Sequence, residues 1–220
     1  MDILIADDHP LFRDALRRAV ARALPNAGIV EADSVAALLE MVEAHPDADL
    51  LLLDLNMPGA QGFSALVHLR GQFPQVPVVV ISAREEASIM RQAIEYGASG
   101  FIPKSASLET ITQALQEVLD GQVWLPPALA TASVPTATDA DLAARIASLT
   151  PQQFRVLCML GEGLLNKQIA WELGVSEATV KAHMTAIMRK LGASNRTQVL
   201  VMTSRLALEG AHPANAPLAS

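Results

Sequence analysis

The sequence predicts an α/β domain built on a parallel sheet, followed by a smaller all-α domain. Residues 1–120 alternate five short apolar runs with five amphipathic segments, whereas residues 149–207 contain several helix starts and no strand pattern. Between them, residues 121–141 carry three prolines and no Lys or Arg, which is typical of a linker. Strands that alternate with helices indicate βαβ crossovers and a parallel sheet covered on both faces.

The elements of the first domain follow in order along residues 1–120. Residues 11–24 show the helical spacing that separates the apolar runs, with one apolar face and arginines away from it or at its edges. The continuous leucines at 50–53 belong in the middle of the sheet, where both faces of a strand are covered. The five predicted strands are DILIAD (2–7), AGIVEA (27–32), DLLLLD (49–54), VPVVVIS (76–82) and GFIPK (100–104).

The second half of the chain is divided by composition into three parts. Residues 121–148 are interpreted as a linker with a possible short helix, on which Leu142, Ile146 and Leu149 share one side. Residues 149–208 form the predicted helical domain. Residues 209–220 are interpreted as a flexible tail.

Composition excludes several classes of protein. The chain has 220 residues, of which 51% are hydrophobic, enough for one large core or two ordinary ones. Its single cysteine, Cys158, cannot form a disulfide framework, which fits a reducing compartment. The N-terminus carries acids where a secretory signal carries basic residues, and no apolar run approaches the roughly 18 residues of a membrane span. We therefore expect a cytoplasmic protein with no membrane association.

The charge is divided unevenly along the chain. The net charge is −7, but residues 149–209 carry +3, which leaves −10 on the rest. An acidic first domain and a mildly basic second domain indicate two domains with different partners.

Polar residues end the predicted strands at one edge of the sheet. Asp7 and Asp8 end the first strand, Asp54 ends the third, Ser82 ends the fourth and Lys104 follows the fifth. The carboxyl ends of parallel strands form the binding edge of such sheets. Three neighbouring carboxylates repel one another unless a cation joins them, and a hard divalent ion such as Mg²⁺ prefers oxygen ligands. One carboxylate can then attack a phosphoryl group, with the cation and Lys104 neutralising charge.

Each of these residues also has a simpler interpretation. Asp54 alone could be an ordinary turn carboxylate, and Ser82 and Lys104 could be surface residues. Their joint occurrence, in order on successive strands, favours a shared site.

Residues 1–120 resemble the receiver domain of two-component response regulators. The motifs that carry the resemblance are ADDHP (6–10), DLNMPGAQG (54–62), ISA (81–83) and GFIPK (100–104). The resemblance implies a flavodoxin-like (βα)5 fold with Mg²⁺ as cofactor. It also implies a phosphoacceptor (Asp54), metal ligands (Asp7, Asp8, Asp54 and the Asn56 backbone carbonyl), a switch pair (Ser82 and Phe101) and a phosphoryl-contacting lysine (Lys104).

The second domain contains a candidate helix-turn-helix. Thr150 can cap a helix and Gln153 can complete a capping box. Residues 166–173 form a short predicted helix that ends at Gly174, and Ser176 caps a longer one. On the longer helix an apolar stripe (Val180, Met184, Ile187 and Leu191) lies opposite Ala182, Thr185 and Arg189.

That outer face suits DNA, although an ordinary solvated helix fits the same periodicity. Small and polar side chains near a helix N-terminus can approach base edges in the major groove, while Lys and Arg reach phosphates. The net charge of +3 is modest support, because phosphate contacts dominate affinity.

Residues 149–207 resemble the LuxR-type four-helix DNA-binding domain, through LTPQQ (149–153) and GLLNKQIAWELGVSEATVKAHMTAIMRKLGASNRTQ (163–198). Together with the receiver, this arrangement is that of the NarL/FixJ class of transcription regulators. The resemblance implies base-facing residues (Lys181, Ala182 and Thr185) and residues near phosphates (Asn166, Lys167, Thr179 and Arg196), with Arg189 on the same outer face. It also places Val199, Val201 and Met202 on a fourth helix, an element that often forms the dimer contact in the family. Thr185 stands where a basic residue is common, so no base preference is transferred.

These observations leave three candidate functions. The first is a transcription regulator controlled by phosphorylation of Asp54, with a sensor histidine kinase, inverted-repeat double-stranded DNA and a second copy as partners, and RNA polymerase as a possible further one. The second, a phosphatase, is disfavoured because Asn56 stands where such enzymes typically have a second acid. The third is a phosphorylation-independent regulator with an idle acidic pocket. We expect the first function, no enzyme activity, and the third function as the alternative.

Overall fold

A computed structural model describes residues 1–60, 62–126 and 137–204 of the chain, without the side chains of residues 137–140 and 204. The predicted tail at 209–220 and residues 127–136 of the predicted linker lie outside this range. Within it, the structure has the predicted class, an α/β domain followed by a helical domain.

The sheet has five parallel strands in the order β2-β1-β3-β4-β5. Its middle strand is β3, where Leu50 to Leu53 are completely buried because the sheet is covered on both faces. Each strand lies within its predicted run. The strands are β1 (Asp2–Ala6), β2 (Gly28–Ala32), β3 (Leu50–Asp54), β4 (Val78–Ser82) and β5 (Gly100–Pro103).

Helices cover the two faces of the sheet and produce two apolar clusters. Helices α1 and α5 pack on one face, and α2, α3 and α4 pack on the other. Helix α1 begins at Pro10, whose missing N–H would be unpaired in the first turn of any helix. The bounds are α1 (Pro10–Ala23), α2 (Val35–Ala44), α3 (Ser64–Gln72), α4 (Ala87–Glu95) and α5 (Leu108–Leu119).

Five further helices follow, with the predicted signals at their ends. The Thr150 hydroxyl accepts a hydrogen bond from the Gln153 N–H while Gln153 Oε1 accepts one from the Thr150 N–H, so the predicted capping box is formed. Ser176 caps the longer helix as predicted, and Gly192 ends it at φ 71°, where glycine is favoured. The bounds are α6 (Ala137–Ala147), α7 (Pro151–Gly161), α8 (Asn166–Glu172), α9 (Glu177–Leu191) and α10 (Arg196–Ser204).

The apolar stripes predicted for the second half form its core. Val180, Met184, Ile187 and Leu191 of α9 are all buried. The predicted short helix is α6, and its three apolar residues (Leu142, Ile146 and Leu149, the last just beyond its end) are buried as well.

The two domains pack directly on each other, a contact that no sequence pattern predicted. Helix α3 lies against α6, where Gly71 faces Ala147 and the Gln72 side chain donates a hydrogen bond of 2.8 Å to the Ala147 carbonyl. Helix α7 contacts α2 through an Arg155–Glu40 ion pair of 3.5 Å. One apolar cluster therefore runs without interruption from the α2–α4 side of the sheet into the helical domain.

Candidate functional site

The predicted strand-end residues converge at the carboxyl edge of the sheet. Asp7 and Asp54 are almost completely buried, at 0% and 1% exposure, and Asp8 is partly exposed. Asp54 lies at the end of the central strand β3, and the four register pairs of that strand with β1 and the four with β4 fix its position. Residues that are far apart in the sequence therefore lie together at one site.

Lys104 joins the carboxylates. Its Nζ lies 2.6 Å from Asp7 Oδ2 and 2.7 Å from Asp54 Oδ2. The second oxygens are held by the backbone: Asp54 Oδ1 accepts from the Asn56 N–H at 3.1 Å, and Asp7 Oδ1 accepts from the His9 N–H at 2.7 Å. The side chain of Lys104 also lies over the ring of Phe12, 4.9 Å from its centroid, a cation–π contact.

The charges at this site depend on one another. Burial raises the pKa of Asp54 above its ordinary value, and the hydrogen bond and charge of Lys104 oppose that rise. Burial alone would lower the pKa of Lys104, but its hydrogen bonds and charge contacts with Asp54 and Asp7 outweigh burial and raise it. The ammonium is therefore held charged between two carboxylates.

The donor set fits a hard cation. Asp7, Asp8, His9 and Asp54 can each offer one ligand atom, all within 4.8 Å of one another. Asp7 Oδ2 lies beside the Lys104 ammonium and Asp8 Oδ1 beside His9 Nδ1, but neither oxygen forms a hydrogen bond of normal geometry with described residues. These oxygens retain capacity for a ligand, and an oxygen-rich set is what Mg²⁺ prefers.

His9 and Phe12 belong to the site, although sequence reasoning gave them no role. His9 Nδ1 lies 2.7 Å from Asp8 Oδ1 and 3.4 Å from Lys104 Nζ. The signal was their position, since both lie within five residues of Asp7–Asp8 at the start of α1. Together with Asp54 they line a cleft of about 600 Å³, the other lining residues being Leu11, Asn56, Ala83 and Lys104.

The two predicted switch residues are both fully buried. Ser82 directly follows Ile81, the register partner of Asp54 on β4. Its hydroxyl accepts a hydrogen bond of 3.1 Å from the Arg84 N–H. Phe101 is 0% exposed, so its ring already lies inward in this structure.

The second candidate site is the outer face of α9. Lys181, Ala182, Thr185 and Arg189 are all exposed, and none is covered by the first domain. The Thr185 hydroxyl donates to the Lys181 carbonyl at 3.0 Å, which leaves its oxygen free to accept a further hydrogen bond. A cleft of about 480 Å³ runs beside this face, with Asn166, Lys181, Met184, Thr185, Met188, Ser194, Asn195 and Arg196 along it.

The residues predicted to lie near phosphates differ in their exposure and in the hydrogen bonds that they already form. Lys167 is exposed at the start of α8, whereas Thr179 is half-buried and contacts the Ser176 hydroxyl at 2.9 Å. Arg196 donates to the Leu164 carbonyl at 2.6 Å and to Asn166 Oδ1 at 3.3 Å. Arg196 therefore ties α10 to the start of α8, and this structural role would restrict its reach toward a phosphate.

The last helix, α10, contains Val199, Val201 and Met202, as predicted. Val199 is 0% exposed, because it packs into the core of its own domain, whereas Val201 is 57% exposed. Of these two, only Val201 offers a surface to a partner in this structure.

No helix within the described ranges is both long and apolar enough to cross a membrane.

Two family descriptions match the chain. Residues 3–116, just over half of its length, match the response regulator receiver domain. Residues 147–203 match the bacterial regulatory proteins of the luxR family. The two matches fall on the α/β domain and on the helical domain respectively.

Curated relatives and solved structures match over nearly the whole length. The glycerol metabolism activator of Pseudomonas putida is 42% identical over 205 residues, which cover 90% of this chain and 93% of the relative. The nitrate/nitrite response regulator NarL of Escherichia coli K12 is 32% identical over 201 residues, covering 90% and 93%. RcsB of Salmonella enterica serovar Typhimurium, solved on the P1flhDC promoter with the phosphomimetic BeF₃⁻, shares the fold with a TM-score of 0.55 at 24% identity, covering 94% of this chain and 99% of that one. The chain therefore belongs to the two-component response regulators that join a receiver domain to a LuxR-type helix-turn-helix, and it is a DNA-binding transcription regulator.

Proposed function

We propose that Asp54 is the phosphoacceptor and that its phosphorylation by a sensor histidine kinase controls DNA binding. The observation that carries the proposal is the position of Asp54. Its carboxylate is buried at the end of the central strand, 2.7 Å from the Lys104 ammonium, and it opens onto a cleft. A carboxylate so placed is fixed in orientation and shielded from bulk water, as a nucleophile requires.

The phosphoryl transfer needs only residues of this chain and a phosphohistidine donor. A bond forms between an Asp54 carboxylate oxygen and phosphorus as the phosphorus–nitrogen bond of a phosphohistidine breaks, and the electron pair of that bond stays on the leaving imidazole. Lys104 exchanges its contact with Asp54 Oδ2 for a phosphoryl oxygen, which neutralises part of the charge. Ser82, on the next strand, would donate its hydroxyl to another phosphoryl oxygen.

Asp7, Asp8, Asp54 and the Asn56 backbone carbonyl would hold Mg²⁺. When bound, the ion neutralises charge on the carboxylates and on the transferring group. His9 lies at the edge of this set and pairs with Asp8, which would orient that carboxylate.

The output of the proposed function is sequence-specific binding of double-stranded DNA by α9. Lys181, Ala182 and Thr185 would face base edges, and Arg189 with Asn166, Lys167, Thr179 and Arg196 would lie near phosphates. The exposure of Lys181, Ala182, Thr185, Arg189 and Lys167 supports this assignment, since a base-reading face must be open to the major groove. A two-fold homodimer would read inverted half-sites, with RNA polymerase as a further partner and the cytoplasm as the location.

A response regulator of this family is a transcription regulator and not an enzyme. We propose that this chain has no turnover of its own, since Asn56 replaces the second acid that phosphatases acting through aspartyl-phosphate carry. The alternative is a regulator that binds DNA without phosphorylation and keeps an idle acidic pocket. The interlocked contacts of Lys104 with Asp7 and Asp54 favour the first function.

The test is intact mass after incubation with acetyl phosphate and Mg²⁺. The native chain should gain one phosphoryl group, about 80 Da, and Asp54→Asn should gain nothing. Asp47→Asn, which removes an exposed carboxylate just before β3, is the matched control and should gain the group as the native chain does. If the native chain stayed unmodified with acetyl phosphate and with a histidine kinase, the alternative function would replace this one.

A further inference from the structure

Helix α3 lacks, over most of its length, the solvent-exposed polar face that a surface helix normally has. All six residues from Ser64 to Leu69 are buried. One side of the helix packs on the sheet, and the other is covered by α6 and α7 of the helical domain. The burial of that second side therefore depends on the interdomain contact, by which we mean the packing of α3 against α6 and α7.

His68 lies at the centre of the interdomain contact. It is 0% exposed, and its ring stacks on Phe154 of α7 with centroids 4.0 Å apart and an angle of 3° between the planes. Neither ring nitrogen forms a hydrogen bond of normal geometry with a described residue. The Ile146 carbonyl acts on the ring and favours its charged form, but burial outweighs it. A charged imidazole would lose its hydration here with only this carbonyl to interact with, which is costly.

We propose that the interdomain contact is pH-sensitive, closed while His68 is neutral and stacked on Phe154, and opened when His68 takes up a proton. The opening needs no phosphoryl group and no DNA. The pH-dependent opening results from the position of a titratable ring between two domains that can separate.

The charged groups around His68 do not compensate its protonation. Arg155 and Arg145 are cations, and each is already paired, with Glu40 and Asp141 respectively. Arg70, two residues after His68, donates to the Val76 carbonyl. No carboxylate among the described side chains lies within 4.0 Å of the His68 ring nitrogens.

Among the described acids of the contact, Glu162 responds in the opposite direction. It lies beside Gly59, at the α7 side of the contact. Burial, with a smaller contribution from Glu172, raises its pKa. Protonation of Glu162 therefore favours the closed form, and Glu162→Gln removes that opposing response from the measurement.

The sign and size of the effect follow from linkage. Burial lowers the pKa of His68 to about 4, against an ordinary value of about 6.5. A group whose closed-state pKa is lowered stabilises the closed form above its open-state pKa and loses that contribution as pH falls. Between pH 7.5 and pH 5.0 the closing equilibrium should weaken roughly 30-fold.

Cys158 provides the readout. It is the only cysteine of the chain, it is buried, and it lines a small cavity with Gly59, Ser64, Phe154, Leu157 and Thr203 at the interdomain contact. We would measure its labelling by a dipyridyl disulfide at pH 7.5 and pH 5.0, each divided by the rate of the unfolded chain at that pH. The division removes the pH dependence of the thiol itself. In the Glu162→Gln background protection should fall roughly 30-fold at pH 5.0, and in the native chain it should fall by a smaller factor.

Two variants and one spectrum make the test decisive. His68→Leu, which keeps an apolar side chain of similar size, should keep its protection at both values of pH. His45→Gln, on the C-cap of α2 and paired with Asp2, should behave as the native chain does. The NMR titration of the His68 ring in the native chain should show no protonation above about pH 5. The proposal is overturned if protection in the Glu162→Gln background is independent of pH, if His68→Leu in that background loses protection equally, or, should that variant not fold, if His68 titrates above pH 6.

Discussion

Gly71→Ala is expected to loosen the interdomain contact without damaging the receiver domain. A Cβ atom on Gly71 would lie 2.5 Å from Ala147 Cβ, 2.7 Å from its carbonyl oxygen and 2.8 Å from its Cα. Real Cβ atoms do not approach so closely, and two of the three neighbours belong to the α6 backbone, so α6 must move away. Overpacking of this kind costs about 1–3 kcal/mol.

The same substitution has the opposite effect on α3 itself. Alanine is better than glycine in a helix interior by about 1 kcal/mol. Receiver stability should therefore rise slightly while the contact weakens, and two probes separate the effects. Cys158 labelling at pH 7.5 should become roughly 5- to 140-fold faster, the range that 1–3 kcal/mol gives. Chemical denaturation followed on the receiver should show a midpoint that is unchanged or slightly raised.

A compensating variant tests whether the clash with Ala147 causes the loosening. Ala147→Gly removes the nearest of the three atoms, so the double variant should recover part of the protection that Gly71→Ala loses. Gln72→Ala, which removes the hydrogen bond to the Ala147 carbonyl without adding an atom, serves as the control and should accelerate labelling less. Labelling of Gly71→Ala at the native rate would show that α6 does not lie against α3 in solution.

Three further predictions concern stability and DNA. Thr150→Ala breaks the capping box with Gln153 and should cost about 1 kcal/mol of unfolding free energy, measured by thermal denaturation. Leu52→Ala, in the fully buried central strand, should cost about 2–5 kcal/mol in the same assay, and a cost below about 1 would contradict its burial. Lys181→Ala should reduce the slope of log affinity against log salt by about 1. Arg18→Ala, which removes an equal charge from the exposed side of α1, should leave that slope unchanged.

The fold was predictable because its patterns are local and redundant. Four consecutive leucines with a carboxylate at the end can hardly be placed elsewhere than in a central strand. The capping residues Thr150 and Ser176 have one physical use each, and the structure uses both. Element bounds follow from such signals to within one or two residues in the first domain.

The site was predictable as a set of residues but not as a set of contacts. Strand order brings Asp7, Asp54 and Lys104 to one edge, yet nothing in the sequence says that Lys104 bridges both carboxylates or that His9 joins them. The interdomain contact was not predictable, because it depends on how two domains meet. One signal was available: α3 reads SALVHLRGQ and lacks the charged outer face of a solvated helix.

The position of the interdomain contact limits how phosphorylation can control DNA binding. The recognition side chains of α9 are already exposed while α3 is packed on α6 and α7, so separation of the domains uncovers nothing that reads bases. Control must then act on how two copies pair, or on the freedom of one domain relative to the other. Gly71→Ala should therefore leave affinity for a single DNA half-site within about twofold of native, measured by fluorescence anisotropy, even as Cys158 becomes accessible. A several-fold rise in half-site affinity would show instead that the contact hides the DNA-binding face, and the phosphoryl group would then act by opening it.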